Sequence, residues 1–165
     1  MPVDVNVRPT MDRVRETVFS WLTPYIVGAS CLDAFAGSGV FGFEALSRSA
    51  ANATFVDVRE KVVERMRQTA AHLGAEETTI LRAEFPWEFY NSRQFDIVFL
   101  DPPFKKNLIE PSAHFLQTHH FLKKKALIYI ETEAALKNLE LPTNWRQLKY
   151  KEAGKVSYRL YATTA

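Results

Sequence analysis

The sequence predicts an α/β domain: an open, mostly parallel sheet flanked by helices and ending in a C-terminal antiparallel hairpin. Three observations predict it. Short apolar runs alternate with longer amphipathic ones along most of the 165 residues, the rhythm of β-α-β units. The first strong apolar run ends in glycines, "CLDAFAGSGVFG" over 31–42, as a strand does when it turns sharply into a helix. The tail then changes period. "WRQLKYK" and "SYRLYAT" flank Glu152-Ala153-Gly154, which reads as a hairpin.

The elements follow in order. Residues 12–22 form a first helix, with Val14, Val18, Trp21 and Leu22 on one face and Pro24 as its stop. Cys31–Ala36 is a buried strand, and Gly39 to Ser49 the helix after it. Ala53–Val58 is the next strand. Arg59–Leu73 is a charged helix closed by Gly74, which supplies the left-handed residue past a helix end. Thr79–Arg82 is a short strand, and "FDIVFL" over 95–100 a strongly apolar one. Leu108 to Thr118 is helical, and "ALIYIE" over 126–131 is a central strand. Ligands on such sheets bind where the strands end at their C-terminal edge. The loops after Ala36, Asp57, Arg82 and Leu100 are therefore the ones that matter.

Composition narrows the class. Apolar residues make up 47% and charged residues 24%, enough for a packed core and unlike a disordered chain. The net charge of +2 announces no general polyanion binder, so any basic surface is local. A single cysteine, Cys31, excludes an internal disulfide and fits a reducing compartment. It lies in an apolar run, as a small buried strand residue does. The first ten residues, "MPVDVNVRPT", carry no apolar core of a signal peptide, and no run is long enough to span a membrane. A cytoplasmic protein is expected.

Gly37-x-Gly39-x-x-Gly42 matches the dinucleotide fingerprint by spacing. Its glycines let the backbone approach a ligand, and the next helix offers free N–H groups and positive dipole. No Gly-Lys-Ser/Thr follows, which excludes a nucleotide-triphosphate loop. Asp33 stands four residues before Gly37. It would repel a pyrophosphate but could pair with a cationic ligand head, such as the ammonium group of S-adenosylmethionine. Asp57 ends the next strand, where an acid accepts from ribose hydroxyls; each such bond is worth about 1.5–3 kcal/mol. Asp57 suits a dinucleotide or S-adenosylmethionine alike, so Asp33 carries the discrimination.

"DPPF" over 101–104 follows the fourth strand. Pro102 and Pro103 stiffen the loop and remove two donors, leaving carbonyl acceptors beside the Asp101 carboxylate. That set suits an exocyclic base amine, a weak nucleophile that acceptors can orient toward an activated methyl. Phe104 can stack on an extruded base for about 1–3 kcal/mol. Guanine presents N1–H and N2–H₂ side by side, so a carboxylate leans toward guanine N2, whereas adenine suits an amide.

"RPTMDRVRETVFSWL" (8–22), "CLDAFAGSGVFGFEALSR" (31–48), "FDIVFLDPPF" (95–104), "LIYIETE" (127–133) and "GKVSYRLY" (154–161) together resemble the RsmD family of bacterial ribosomal RNA methyltransferases. The resemblance implies a Rossmann-like class I methyltransferase fold: a seven-stranded, mostly parallel sheet whose last hairpin inserts one antiparallel strand. It implies S-adenosylmethionine as cofactor and N2 of guanine 966 in 16S ribosomal RNA, in the small subunit or its assembly intermediate, as target. It assigns Asp33, Gly37 and Gly39 to the methionine side of the cofactor and Asp57 to the ribose, with Phe35 and Val58 as further cofactor-binding residues. Thr10 and Arg13 belong to a segment that covers the cofactor, and Asp101, Pro102, Pro103 and Phe104 to the target amine. Relatives place an acid or amide after the third strand for the adenine amine. Here Ala83 holds that position and Glu84 is one along. Relatives also carry a basic segment before Arg-Pro-Thr, so residues 1–165 are expected to be one methyltransferase domain without it, acting as a monomer away from membranes.

Arg8, Arg13 and Arg15, and Lys105 with Lys106, are candidates to flank the active face and meet phosphates; Lys151, Lys155 and Arg159 lie in the hairpin. Lys123–Lys125 reads as a solvated turn. His119-His120 has no companion at metal-ligand spacing, so no metal is expected. Trp87, Phe89 and Tyr90 read as core, with one of them a possible border of the adenine pocket. The leading expectation is an N2-guanine methyltransferase. Its rivals are a DNA amino-methyltransferase for adenine N6 or cytosine N4, and a non-catalytic cofactor-binding module.

Overall fold

A computed structural model describes residues 9–88, 93–104 and 106–164. Seven strands form one sheet in the order β3-β2-β1-β4-β5-β7-β6. The chain runs α1 (Pro9–Ile26), β1 (Ser30–Asp33), α2 (Val40–Ser47), β2 (Asn52–Asp57), α3 (Glu60–Leu73), β3 (Thr78–Arg82), β4 (Phe95–Leu100), α4 (Ile109–Thr118), β5 (Leu122–Glu133), β6 (Trp145–Ala153) and β7 (Val156–Thr163). β1 pairs in parallel with β2 on one side and β4 on the other. The strand order therefore reverses between β1 and β4, which opens a crevice at their C-terminal ends. β7 is inserted antiparallel between β5 and β6, as expected.

Alternation along the strands builds two cores. Cys31, Phe55, Phe99 and Tyr129 pack on one face against Val18 and Phe19 of α1, Phe41 of α2 and Met66 of α3. Leu32, Val98, Leu100 and Ile130 pack on the other against Ala113 and Leu116 of α4. Strands buried on both faces read as continuous apolar runs, which is why "FDIVFL" and "ALIYI" stand out in the sequence.

Several boundaries differ from expectation. α1 starts at Pro9 and continues through Pro24 to Ile26. A proline in the last turn removes a single backbone donor. Burying Ile26 favours the extra turn, and Gly28, at φ +77°, ends it. β1 stops at Asp33 rather than Ala36, and the following residues already turn toward the glycines. β2 ends at Asp57, leaving Val58 outside it. Lys123–Lys125 is no turn but the exposed beginning of β5, where Lys123 pairs with Asp96 of β4 at 3.0 Å. Gly74 closes α3 in the left-handed conformation. No helix among the described residues is long and apolar enough to cross a membrane.

Candidate active site

A cavity of about 1290 Å³ opens at the C-terminal ends of β1, β2, β4 and β5. Its floor is the glycine turn. Gly39 sits at φ +82° as the residue before α2, a conformation that other residues rarely adopt. Gly42 serves packing instead. A Cβ there would lie 2.2 Å from the Phe55 ring, so α2 rides directly on β2. Gly37 lines the cavity and donates its N–H to Asp57 Oδ2 at 2.9 Å.

Asp33 occupies a position that the sequence did not reveal. It is 1% exposed and does not line the cavity. Its Oδ2 accepts from the Gly42 N–H at 3.1 Å, across the first turn of α2. Burial pushes its carboxyl up to about 7, against the pull of the Gly42 bond. Asp33 thus fixes the helix start from beneath and is not placed for a direct ion pair with a ligand. Gly39 likewise lies behind the surface, while Phe35 lines it and packs on Trp87 with ring centroids 5.6 Å apart.

Asp57 does face the cavity, with Val58 beside it. Its two oxygens receive four N–H groups. Oδ1 accepts from Arg59 N at 2.9 Å and Nε at 3.0 Å; Oδ2 accepts from Gly37 N and from Arg59 Nη2 at 3.1 Å. Burial alone would raise this carboxyl, but the Arg59 and Gly37 donors outweigh it and hold the group below its ordinary value. Ala83 and the exposed Glu84 both line the far wall, and Trp87, 5% exposed, borders it from the second core.

Asp101, Pro102, Pro103 and Phe104 close the opposite side. Phe104 is 46% exposed, an aromatic face open to solvent at the cavity mouth. Among the described residues the Asp101 carboxylate accepts no hydrogen bond. Burial, then the charges of Glu131 and Asp33, raises it well above the usual carboxylate range. Glu131, near the end of β5, shares the cavity and is not among the residues that the sequence singled out. Its only signal there was an acid ending an apolar strand, "LIYIE".

Helix phase sets which residues of the first segment meet the cavity. Arg13 is exposed and does not line the cavity; Met11, Asp12, Val14 and Arg15 do. With Val14 and Val18 fixed in the core, the 100° step per residue turns position 13 outward. Thr10 falls in the first turn of α1, and its side chain lies outside the described residues. Arg15 bonds Asp12 at 3.1 Å and reaches Glu44 at 3.9 Å. Of the other basic candidates, Lys106 and Lys155 line the cavity, Lys151 is exposed on β6, and Arg159 is buried. The Arg159 guanidinium donates to the Leu136 and Lys137 carbonyls at 2.7 and 3.4 Å, so it ties the β5–β6 connection to the hairpin rather than meeting phosphate. Arg8, Phe89, Tyr90 and Lys105 lie outside the described residues. His119 stacks on Phe115 at 4.0 Å, far along the chain from the glycine and proline loops.

A family model described as conserved hypothetical protein 95, the RsmD family, matches residues 1–162. The chain belongs to this family. The chain is similar to ribosomal RNA small subunit methyltransferase D of Haemophilus influenzae, 46% identical over 161 residues that span 94% of this chain and 83% of that protein. The Escherichia coli K12 protein of the same name is 41% identical over 166 residues, covering 100% of this chain and 84% of its own length. The solved structure of yhhF from Escherichia coli has a TM-score of 0.89 at 42% identity, with 100% of this chain and 92% of that one covered. A SAM-dependent methyltransferase from Aquifex aeolicus shares the fold, with a TM-score of 0.72 at 17% identity over 96% of this chain and 94% of its own.

Proposed function

We propose that this RsmD-family chain transfers a methyl group from S-adenosylmethionine to N2 of a guanine in 16S ribosomal RNA, the position numbered 966 by family resemblance. The observation that carries the reading is Asp101: a carboxylate without a hydrogen-bond partner among the described residues, facing a large cavity between two prolines and an exposed phenylalanine. An acceptor left open at a cavity wall is available to a donor from outside. The cavity exceeds the volume of an ordinary small-molecule pocket, which leaves room for a nucleoside cofactor and a base together.

The residues fit the cofactor. The glycine turn and the start of α2 would take its methionine carboxylate. Asp57 would take the ribose hydroxyls. All four of its acceptor positions are filled, so the ribose would displace the Arg59 guanidinium, whose side chain is 64% exposed and free to swing. Phe35, Val58, Ala83 and Glu84 would border the adenine. The acids Asp33, Asp101 and Glu131, gathered at the ends of β1, β4 and β5, favour a cationic ligand over a pyrophosphate, although Asp33 acts through the floor rather than by contact. The bound cofactor supplies a methyl on a positively charged sulfur. Asp101 and the Pro102 carbonyl would orient the amine toward it, and Phe104 would stack on the extruded base. Arg15, Lys106 and Lys155 at the mouth would meet flanking phosphates.

The test is methylation of free 16S RNA, 30S subunits and duplex DNA with labelled cofactor, followed by digestion and identification of the base. N2-methylguanine in the RNA is expected. Methylated adenine or cytosine in DNA would replace the reading, and cofactor binding without transfer to any of the three would reduce the chain to a binding module. Asp101→Ala should keep cofactor affinity and lose transfer; unchanged turnover would remove Asp101 from the mechanism.

A further inference from the structure

We propose that Glu131 is a second catalytic carboxylate, the group that takes the proton released by the target amine as it becomes methylated. This rests on the amino-methyltransferase reading above. Three observations carry it. First, β4 and β5 run in parallel with Leu100 beside Ile130, which brings Asp101 and Glu131 together at adjacent strand ends. Both line the main cavity. Second, Tyr129 donates its hydroxyl to Glu131 Oε1 at 2.6 Å. Among the described residues Glu131 makes no other side-chain hydrogen bond, so Oε2 remains open. Third, Glu131 also lines a separate cavity of about 330 Å³ on the far side of the proline loop. A proton taken from the main cavity has a second route to solvent.

The two acids differ in what holds them. Asp101 is desolvated and flanked by the charges of Glu131 and Asp33, all of which raise its carboxyl. Burial also raises Glu131, but the Tyr129 hydroxyl pulls it back by favouring its anion. The two neighbouring carboxyls divide the roles by placement: Asp101, with no side-chain partner among the described residues, accepts from the amine, and Glu131, held at Oε1 by Tyr129, takes the proton at Oε2. In the step, the N2 lone pair forms a bond to the methyl carbon. The carbon–sulfur bond breaks with its electron pair left on sulfur. One N–H bond then breaks with its pair left on nitrogen, and the proton moves to Glu131 Oε2 and on to solvent. The titratable groups around Glu131 are Tyr129, bonded to it on its own strand, Asp101 just past the end of β4 and Tyr158 opposite it on β7; Asp33, at the end of β1, acts on Asp101. Arg15 of α1 and Lys155 of the hairpin line the same cavity.

The experiment measures single-turnover methyl transfer to ribosomal RNA across pH for the wild type, Glu131→Gln and Tyr129→Phe, with cofactor affinity by calorimetry. E131Q should lose about 10²-fold or more in rate, keep cofactor affinity within twofold, and lose the acidic limb of the pH profile. Y129F removes the bond that favours the anion, so its acidic limb should move to higher pH. It also keeps the proposal testable if E131Q does not fold. A rate for E131Q within threefold of wild type, or an acidic limb in Y129F that coincides with wild type, overturns the role of Glu131. If wild type itself forms no N2-methylguanine, the amino-methyltransferase reading fails, and this inference with it.

Discussion

Gly42→Ala tests how the floor of the site is built. Gly42 lies inside α2, where alanine is the better helix former by about 1 kcal/mol. By propensity alone the variant should be more stable. The structure predicts the reverse. The new Cβ would meet Phe55 at 2.2, 2.6 and 3.0 Å, where ordinary contact begins near 3.4 Å. Phe55 is fully buried and packs on Phe43 with ring centroids 4.5 Å apart, so its ring has no free direction. The helix must back away from β2. Over-packing of this kind costs about 1–3 kcal/mol, and a gap of this size belongs at the upper end. Set against the propensity gain, the net loss is about 1–2 kcal/mol, or roughly 2–8 °C in melting temperature for a chain of this length. Backing away also stretches the Gly42 N–H bond to Asp33, which holds the start of α2 in place. Cofactor affinity should therefore fall together with stability. Thermal and urea unfolding with calorimetric binding measure both. Adding Phe55→Leu should recover part of the loss, with a coupling of about 1 kcal/mol or more between the two sites. An alanine variant that melts at or above wild type would refute the packing argument.

Asp57→Ala should weaken cofactor binding at least tenfold in calorimetry, by removal of the ribose acceptor; an unaltered affinity would reassign the ribose site. Arg59→Ala should do the opposite and tighten binding severalfold, because the ribose no longer competes with the guanidinium for Asp57. The same variant has a pH signature in the free protein. Asp57 is held below its ordinary value of 3.8, so the pair's contribution is present above that pH and is lost as pH falls through the lowered value. With Arg59 largely exposed, the difference in stability should be about 0.5–1 kcal/mol at pH 6 and should shrink as Asp57 is protonated in acid; a gap that does not shrink with falling pH would deny the linkage. Phe104→Ala should leave cofactor affinity intact and raise the KM for RNA by the equivalent of about 1–3 kcal/mol of lost stacking, and a KM equal to wild type would place the base elsewhere.

The sequence by itself determined the layers. Apolar runs of strand length, a glycine turn and a charged helix closed by Gly74 are local signals, each set by backbone freedom or by side-chain period. They were enough to locate the loops that converge on the cavity, and to mark Asp57, Asp101 and Phe104 as facing it. Tertiary structure alone decided direction and neighbourhood. Whether Arg13 or Arg15 meets the cavity depends on the phase of α1, which Val14 and Val18 set by packing on the sheet. Whether Asp33 touches a ligand or the backbone of α2 depends on how closely Gly42 lets that helix approach β2. Glu131 became visible only beside Asp101, because thirty residues of chain separate the two acids and the parallel register of β4 and β5 brings them together. A carboxylate's role follows from which charges and donors surround it in space, and that arrangement exists only once the strands have paired.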